Sequence, residues 1–378
     1  MAPSPGLTER ISGRAARLRA RLDGRGREPG VDLARGLAVI GMFAAHLLVT
    51  MPFDWTHPLT WPDLVNGRSS VLFATLAGVS LALVTGRAEP LAGQDLMFAR
   101  IRIALRAACI WLLGILLILL QTPVLVILPA YAILFLLALP LLRARPTTLF
   151  VTAGAIALTM PFAVYAIDHT ISREDDLTET VALALGWDYP FLLWAAFILA
   201  GIGVGRLAFS APLTATLLVA CGAFLTALGY GVIGEAALLE PADSLWGGVL
   251  SASAHSSGIG EAVGSGGVAI AVIALCALVC RTPLKTLLLP LRAVGAMPLT
   301  AYTVQLVAWA ILQPPVGDHG SELAAFRALE PFWPLTLATI VGCTVWTLLA
   351  GRGPLEWAVG KVARVGPPAP SGSADAAR

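Results

Sequence analysis

Ten apolar stretches of about 20 residues mark the chain, the length a helix needs to cross about 30 Å of hydrocarbon. They centre on residues 33–52, 69–86, 103–121, 124–142, 148–167, 189–208, 211–232, 263–281, 294–312 and 331–351. The third and fourth are parted only by Gln121-Thr122-Pro123, a turn with proline as its stop. The ninth is the weakest, because Arg292, Gly295 and Pro298 interrupt its start. The expected fold is all-α, a polytopic integral membrane bundle of about ten transmembrane helices. Composition agrees: the 378 residues are 57% apolar and only 13% charged, against about 25% charged in soluble domains. These values exclude a soluble enzyme surface and a disordered chain.

Charge placement tests the span count through the positive-inside rule. With the N-terminus in the cytoplasm, all of the 25 basic residues fall on the inner side except Arg68, Arg173 and Arg327. Acidic residues show the reverse bias, with Glu174-Asp175-Asp176 on an outer loop. A missed helix would scramble the split after the error. Ten spans with both termini cytoplasmic therefore fit best. Residues 1–30 form an Arg-rich cytoplasmic segment held near anionic headgroups. Residues 31–352 form the membrane domain, and 353–378 a cytoplasmic tail, disordered from Pro367.

The five cysteines lie inside expected spans and are too few for a disulfide scaffold. Cys276 and Cys280 share a helical face but have no third ligand nearby, so no metal is expected.

Ionisable groups inside a bilayer are costly, so they are the functional candidates. His46 is the one such residue deep within a span, while Arg106 and Arg206 lie near inner ends where they can snorkel to water. Counted from Gly36, the imidazole lies about 15 Å in, near mid-hydrocarbon. Arg35 and His46 are eleven residues apart, about 20° beyond three full turns, so they share one helical face with about 16 Å of rise between them. A cation at the cytoplasmic mouth and an imidazole at mid-depth suit a long, anionic thioester. Its phosphates are held by arginine and its acyl group reaches the histidine. Asp32 is placed to hold Arg35 or to bind the helix N-terminus.

Arginine, ten intervening residues and histidine on a first helix resemble the signature of acyltransferase-3 proteins. The longer string Asp32-Leu-Ala-Arg35-Gly36-Leu-Ala resembles the first helix of heparan-α-glucosaminide N-acetyltransferase-like membrane proteins and of the bacterial domain-of-unknown-function family 418. Asn66-Gly67-Arg68-Ser69-Ser70 with Leu76-Ala-Gly78 is similar to the start of their second span. Leu199-Ala-Gly201-Ile-Gly-Val-Gly205-Arg206 and Gly295-Ala-Met297-Pro-Leu-Thr300-Ala-Tyr302-Thr-Val-Gln305 resemble later helices, with Ala301 where asparagine is usual.

The resemblance implies acyl transfer, usually acetyl from acetyl-CoA, to a sugar or glycan. In the heparan-type enzymes the catalytic histidine follows the first span. The similar segment here is Trp55-Thr-His57-Pro-Leu-Thr-Trp61-Pro-Asp63. Two candidate histidines result, His46 by the acyltransferase-3 pattern and His57 by the heparan pattern, the latter with Asp63 to orient it and Trp55 or Trp61 to stack on a sugar. Arg35, Asp32 and Arg68 are the expected cofactor-binding residues.

A thioester is already activated, so transfer mainly needs a base for the acceptor's proton; acyl-histidine formation is the other route. His169, His255 and His319 sit on outer loops and are expected to be idle. The glycine-rich loop of 233–262 reads as a flexible linker, and Gly264–Gly267 carries no phosphate-loop signature. Thr300, Tyr302 and Gln305 put polar groups on the ninth span, to line an acceptor path or to bond neighbouring helices.

The leading expectation is an acyltransferase in a bacterial cell (plasma) membrane, without a tightly bound cofactor. It takes acetyl-CoA or another acyl-CoA as co-substrate. Its partners are the lipid bilayer, acyl-CoA and an extracytoplasmic sugar or glycan, with no nucleic acid. A transporter or flippase without chemistry is the alternative.

Overall fold

Proline opens several of the helices, where its fixed φ is already helical and its missing N–H breaks no bond. Pro29, Pro146, Pro212, Pro298 and Pro354 each do so. The structure, a computed structural model, describes residues 18–24, 27–51, 53–171, 176–315 and 321–364, with Gly13 and Ala16. Arg10, Arg14, Arg17, Arg25, Arg173, Glu174, Asp175, His319 and the tail from 365 lie outside the described residues.

Every regular element among the described residues is helical. Those used below are, in chain order, α1 (Pro29–Leu47), α2 (Arg68–Val84), α3 (Gly93–Ile118), α4 (Leu128–Ala138), α5 (Pro146–Thr170), α6 (Asp176–Leu185) and α7 (Phe191–Arg206). They continue as α8 (Pro212–Thr226), α9 (Ile259–Val279), α10 (Leu289–Ala296), α11 (Pro298–Leu312), α12 (Glu322–Arg327), α13 (Phe332–Leu349) and α14 (Pro354–Val362). A 3₁₀ segment, Pro58–Val65, leads into α2, and a π segment, Ala227–Ile233, extends α8.

Seven helical stretches are long and apolar enough to cross a membrane, and eight if α10 and α11, bent by 84°, count as one. The protein is thus a multi-pass membrane protein. The fourth and sixth expected spans are shorter apolar helices, Leu128–Arg143 and Phe191–Arg206. Their apolar windows include residues 124–127 and 189–190, which precede the helix in each case. Hydropathy counts such residues, but they add no helical rise.

Glycines at the motif positions are close-approach points between helices. A Cβ on Gly78 of α2 would strike the Ile198 carbonyl of α7, and one on Gly201 the Thr75 carbonyl. Gly36 and Gly295 do the same between α1 and α10, against Leu291 and Asp32. Gly267 meets Gly222 where α9 crosses α8, so the 264–267 run is a helix-packing surface.

Basic side chains gather around the α1 N-terminus. Arg87 pairs with Glu28, and Arg281 donates to the Ser210 carbonyl (3.0 Å) while the Ser210 hydroxyl reaches Glu28. Arg292, fully buried, bonds Asp23 at 2.5 Å and the Leu22 carbonyl, tying residues 18–24 to α10. Arg206 does not snorkel to water as expected. It is 4% exposed, and its guanidinium reaches the Thr85 hydroxyl (2.9 Å) and the carbonyls of Thr85, Arg87 and Leu142. The last carbonyls of α2 lack helical partners, and a buried cation there satisfies them.

Candidate functional site

Asp32 lies one turn into α1 and is buried between Arg27 (2.8 Å) and Arg35 (3.3 Å), so it does hold Arg35 in position. Arg35 Nη2 donates to Ser80 Oγ of α2 at 2.7 Å. Both residues line a cavity of about 290 Å³ with Arg106, Glu356, Phe73, Tyr131 and a largely apolar remainder. Glu356 enters from α14, where it accepts from the Thr300 amide (3.0 Å) and hydroxyl (2.5 Å) at the start of α11. The cavity is polar at the Arg35 end. From Ser80 to Phe73 it follows about two turns of α2.

His46 is the penultimate residue of α1. It is therefore not mid-span: the helix starts at Pro29, seven residues before Gly36, which places His46 about 25 Å from its beginning. Arg35 lies correspondingly deeper than a mouth residue. The two share a helical face, yet His46 is not among the residues lining the Arg35 cavity. Toward its N-terminal end α1 meets α2 through Arg35 and Ser80, whereas at its C-terminal end the imidazole meets α11. Gln305 Nε2 lies 3.5 Å from His46 Nδ1, and the Trp309 ring stands edge-on at 6.5 Å.

Gln305 Oε1 and Trp309 Nε1 are buried without a hydrogen-bond partner. A half-turn of the Gln305 amide lets its Oε1 accept from the imidazole Nδ1–H and leaves the imidazole Nε2 as the proton acceptor. Arg327 of α12 donates to the His46 carbonyl (2.9 Å) and the Ala45 carbonyl (3.1 Å), closing the helix end that carries the imidazole.

His57 occupies an exposed turn, with a side chain 73% accessible. Its Nδ1 lies 3.1 Å from Asp54 and 2.9 Å from Thr56 Oγ1. The expected orienting residue, Asp63, is elsewhere: its carboxylate accepts from Asn66 Nδ2 at 3.2 Å. Asp54 takes that place because it is three residues before His57 in a tight turn. The Thr56 hydroxyl and amide, with help from His57, hold the Asp54 carboxyl below the ordinary carboxylate range. Trp55 and Trp61 are exposed, and Trp55 packs edge-on against Phe53 (4.7 Å).

Arg68 opens α2 about 18 Å of helix from Ser80 and is not among the residues lining the Arg35 cavity. Its Nε donates to Tyr230 Oη (2.9 Å), its guanidinium covers the Tyr230 ring at 4.4 Å, and Nη1 donates to the Asp63 carbonyl (2.7 Å). A second cavity of about 370 Å³ opens here, lined by Thr50, Asp63, Asn66, Arg68, Tyr230 and Ser253 among others.

The loop expected to be a plain linker is ordered around a carboxylate. Glu261, 6% exposed in the first turn of α9, accepts from the amides of His255 (2.7 Å) and Ser257 (2.8 Å) and from Ser256 Oγ (3.3 Å). His255 and Ser257 adopt positive φ to make the wrap. His255, expected to be idle, lines a crevice with Asp188, Trp194 and Glu261 and stands edge-on to Tyr189 (5.9 Å). The protein packed around it lowers its pKa, and the Asp188 charge opposes that shift. The signal available in sequence was an acid just before an apolar run, with serine and glycine preceding it. By contrast, His169 lies exposed on Tyr165 with ring centroids 3.8 Å apart.

Comparison with known families places two matches on the chain. Residues 27–239, more than half of it, match the family described as heparan-alpha-glucosaminide N-acetyltransferase, catalytic. Residues 225–365 match the protein of unknown function family DUF418. Together they cover the bundle from Arg27 to the end of α14. No curated protein matches the chain.

Proposed function

Because the chain belongs to the heparan-α-glucosaminide N-acetyltransferase catalytic family, we propose that it moves an acyl group, acetyl first among candidates, from acyl-CoA to a sugar or glycan acceptor. The donor enters at the basic end of the bundle, which faces the cytoplasm of a bacterial cell, and the acceptor approaches from the other end. The carrying observation is the Arg35 cavity: two guanidiniums, Arg35 and Arg106, at the edge of an apolar slot that runs along α2 toward the His46 end of α1. Guanidinium forks suit the phosphates of CoA, and an extended pantetheine arm suits the interval of about 16 Å to His46.

In this reading His46 Nε2 accepts the proton of the acceptor hydroxyl or amine as that group attacks the thioester carbonyl. The carbon–sulfur bond breaks, and the proton passes to the departing thiolate, leaving free CoA. Gln305 orients the imidazole and Arg327 fixes the helix end beneath it. His46 is preferred to His57 because the His57 side chain stands in solvent, where a base gains little from position.

The test uses the full chain in proteoliposomes with acetyl-CoA labelled in the acetyl group. Transfer of label to an extracted glycan fraction, lost in His46→Ala and reduced in Arg35→Ala, supports the reading. Failure to bind any CoA thioester, together with solute uptake by the same vesicles, would overturn it in favour of transport.

A further inference from the structure

α14 follows the last helix of membrane length, and its two faces carry different chemistry. The 18 residues of α13 rise about 27 Å, enough to bring the chain to a bilayer surface. A short turn follows, with Gly351 at φ 86° and the Trp346 indole donating to the Arg352 carbonyl (2.8 Å). α14 therefore lies close to the level at which α13 leaves the hydrocarbon. At 9 residues it is too short to cross again.

One face of α14 is occupied by protein. Helical spacing puts Leu355, Glu356, Val359 and Ala363 on one side. Glu356 enters the Arg35 cavity and accepts from Thr300, Ala363 is buried, and the helix packs on α3 and α11. The opposite side presents Pro354, Trp357, Lys361 and Arg364, all exposed, and Arg352 stands exposed just ahead of it.

The outer face combines cations with an indole. Trp357 is 51% exposed, and Lys361 Nζ lies 5.1 Å from its ring centroid, so charge and ring share one patch. Arg352, Lys361 and Arg364 are in no ion pair among the described residues. The one acid of α14, Glu356, is turned the other way. Trp346, in the last turn of α13, sets a second exposed ring near the same level.

That combination decides the occupant. A free anion would account for the cations but not for Trp357 and Val362, which stand exposed beside them. An anionic phospholipid accounts for both, since its phosphate meets the cations while an indole settles at headgroup depth with its ring against acyl chains. We propose that the outer face of α14 is a binding surface for anionic phospholipid, with Arg352, Lys361 and Arg364 on the headgroup phosphates and Trp357 at the interface. The inference goes beyond acyl transfer and holds whatever the chain catalyses.

The experiment places the full chain in phosphatidylcholine nanodiscs in which a rising fraction is replaced by brominated phosphatidylglycerol or by brominated phosphatidylcholine. Bromine quenches an indole on contact, and subtraction of Trp357→Phe isolates this ring from the rest of the ten tryptophans. Trp357 is expected to be quenched at a lower fraction of phosphatidylglycerol than of phosphatidylcholine. Each cation near an anionic surface multiplies affinity about fivefold, so the double variant Lys361→Gln, Arg364→Gln should raise the phosphatidylglycerol midpoint at least about fivefold. Equal midpoints for the two lipids, a preference unchanged in the double variant, or no quenching by either lipid overturns the proposal. Loss of the preference when inorganic phosphate replaces chloride at equal ionic strength also overturns it, because the cations then hold a free anion. If Trp357→Phe does not fold, spin-labelled phosphatidylglycerol and phosphatidylcholine report the same preference by their motionally restricted fractions. An excess of restricted phosphatidylglycerol that the double variant lowers supports the surface, and one it leaves unchanged overturns it.

Discussion

Arg327 donates from Nε and Nη2 to the carbonyl oxygens of His46 and Ala45, at 2.9 and 3.1 Å. A residue 281 positions away in the chain thus closes the helix end on which the candidate base is carried. The two carbonyls belong to the last turn of α1, where helical donors are lacking and the dipole favours a cation. Arg327→Ala is expected to lose about 1–3 kcal/mol of stability and to lower transfer without changing CoA affinity. Thermal unfolding in detergent beside a CoA titration separates those two effects.

His46→Ala is expected to abolish acyl transfer, by about 100-fold or more if it is the base, while CoA still binds. Gln305→Ala should fall between it and the parent, because it removes orientation and leaves the imidazole. A pH–rate profile displaced in Gln305→Ala but not in a distant packing variant is the signature of positioning. Equal rates in all three proteins would remove His46 from the reaction.

Arg35→Ala should weaken CoA binding about tenfold or more, the range lost with a charge-assisted bond, and Arg35→Lys should recover part of it. The fork geometry that bonds Asp32 and Ser80 together is lost even in lysine, so recovery stays incomplete. Isothermal titration with desulfo-CoA reads this directly without turnover.

Gly201→Val places side-chain atoms where the Thr75 carbonyl stands. Overpacking of this kind costs about 1–3 kcal/mol and sometimes the fold. The expected outcome is a lower melting point and reduced yield, and Gly154→Val, with open space around its Cβ, should show neither.

His255 gives a pH signature of fixed sign. Its folded-state pKa is lowered by the protein around it, below the usual value of about 6.5. The unfolded chain therefore binds this proton more readily, so stability rises with pH across that interval. Stability from this group is complete above the unfolded pKa and is lost as pH falls through the folded one. His255→Asn should flatten the fall in melting temperature between neutral and mildly acidic pH. An unchanged slope would show that Asp188 fully offsets the shift.

The span pattern was legible because lipid imposes a single requirement, apolar length, that each segment meets by itself. The uneven distribution of arginine along the chain was equally local. The motif glycines were visible as motifs, but their meaning as contacts between α2 and α7 or α1 and α10 was not. Helical arithmetic put His46 and Arg35 on one face of α1. It could not show that the face meets α2 at one end and α11 at the other.

What the sequence determined by itself, then, is the helical membrane class, since apolar length and charge cost act residue by residue. Tertiary structure alone decided that Arg106 and Glu356 join Arg35, that Asp54 rather than Asp63 stands by His57, and that Glu261 folds the His255 loop. Those pairings join residues from separate helices and turns. They depend on how each helix is rotated against its neighbour, and an apolar face turned to lipid and one turned to protein read alike in a single chain.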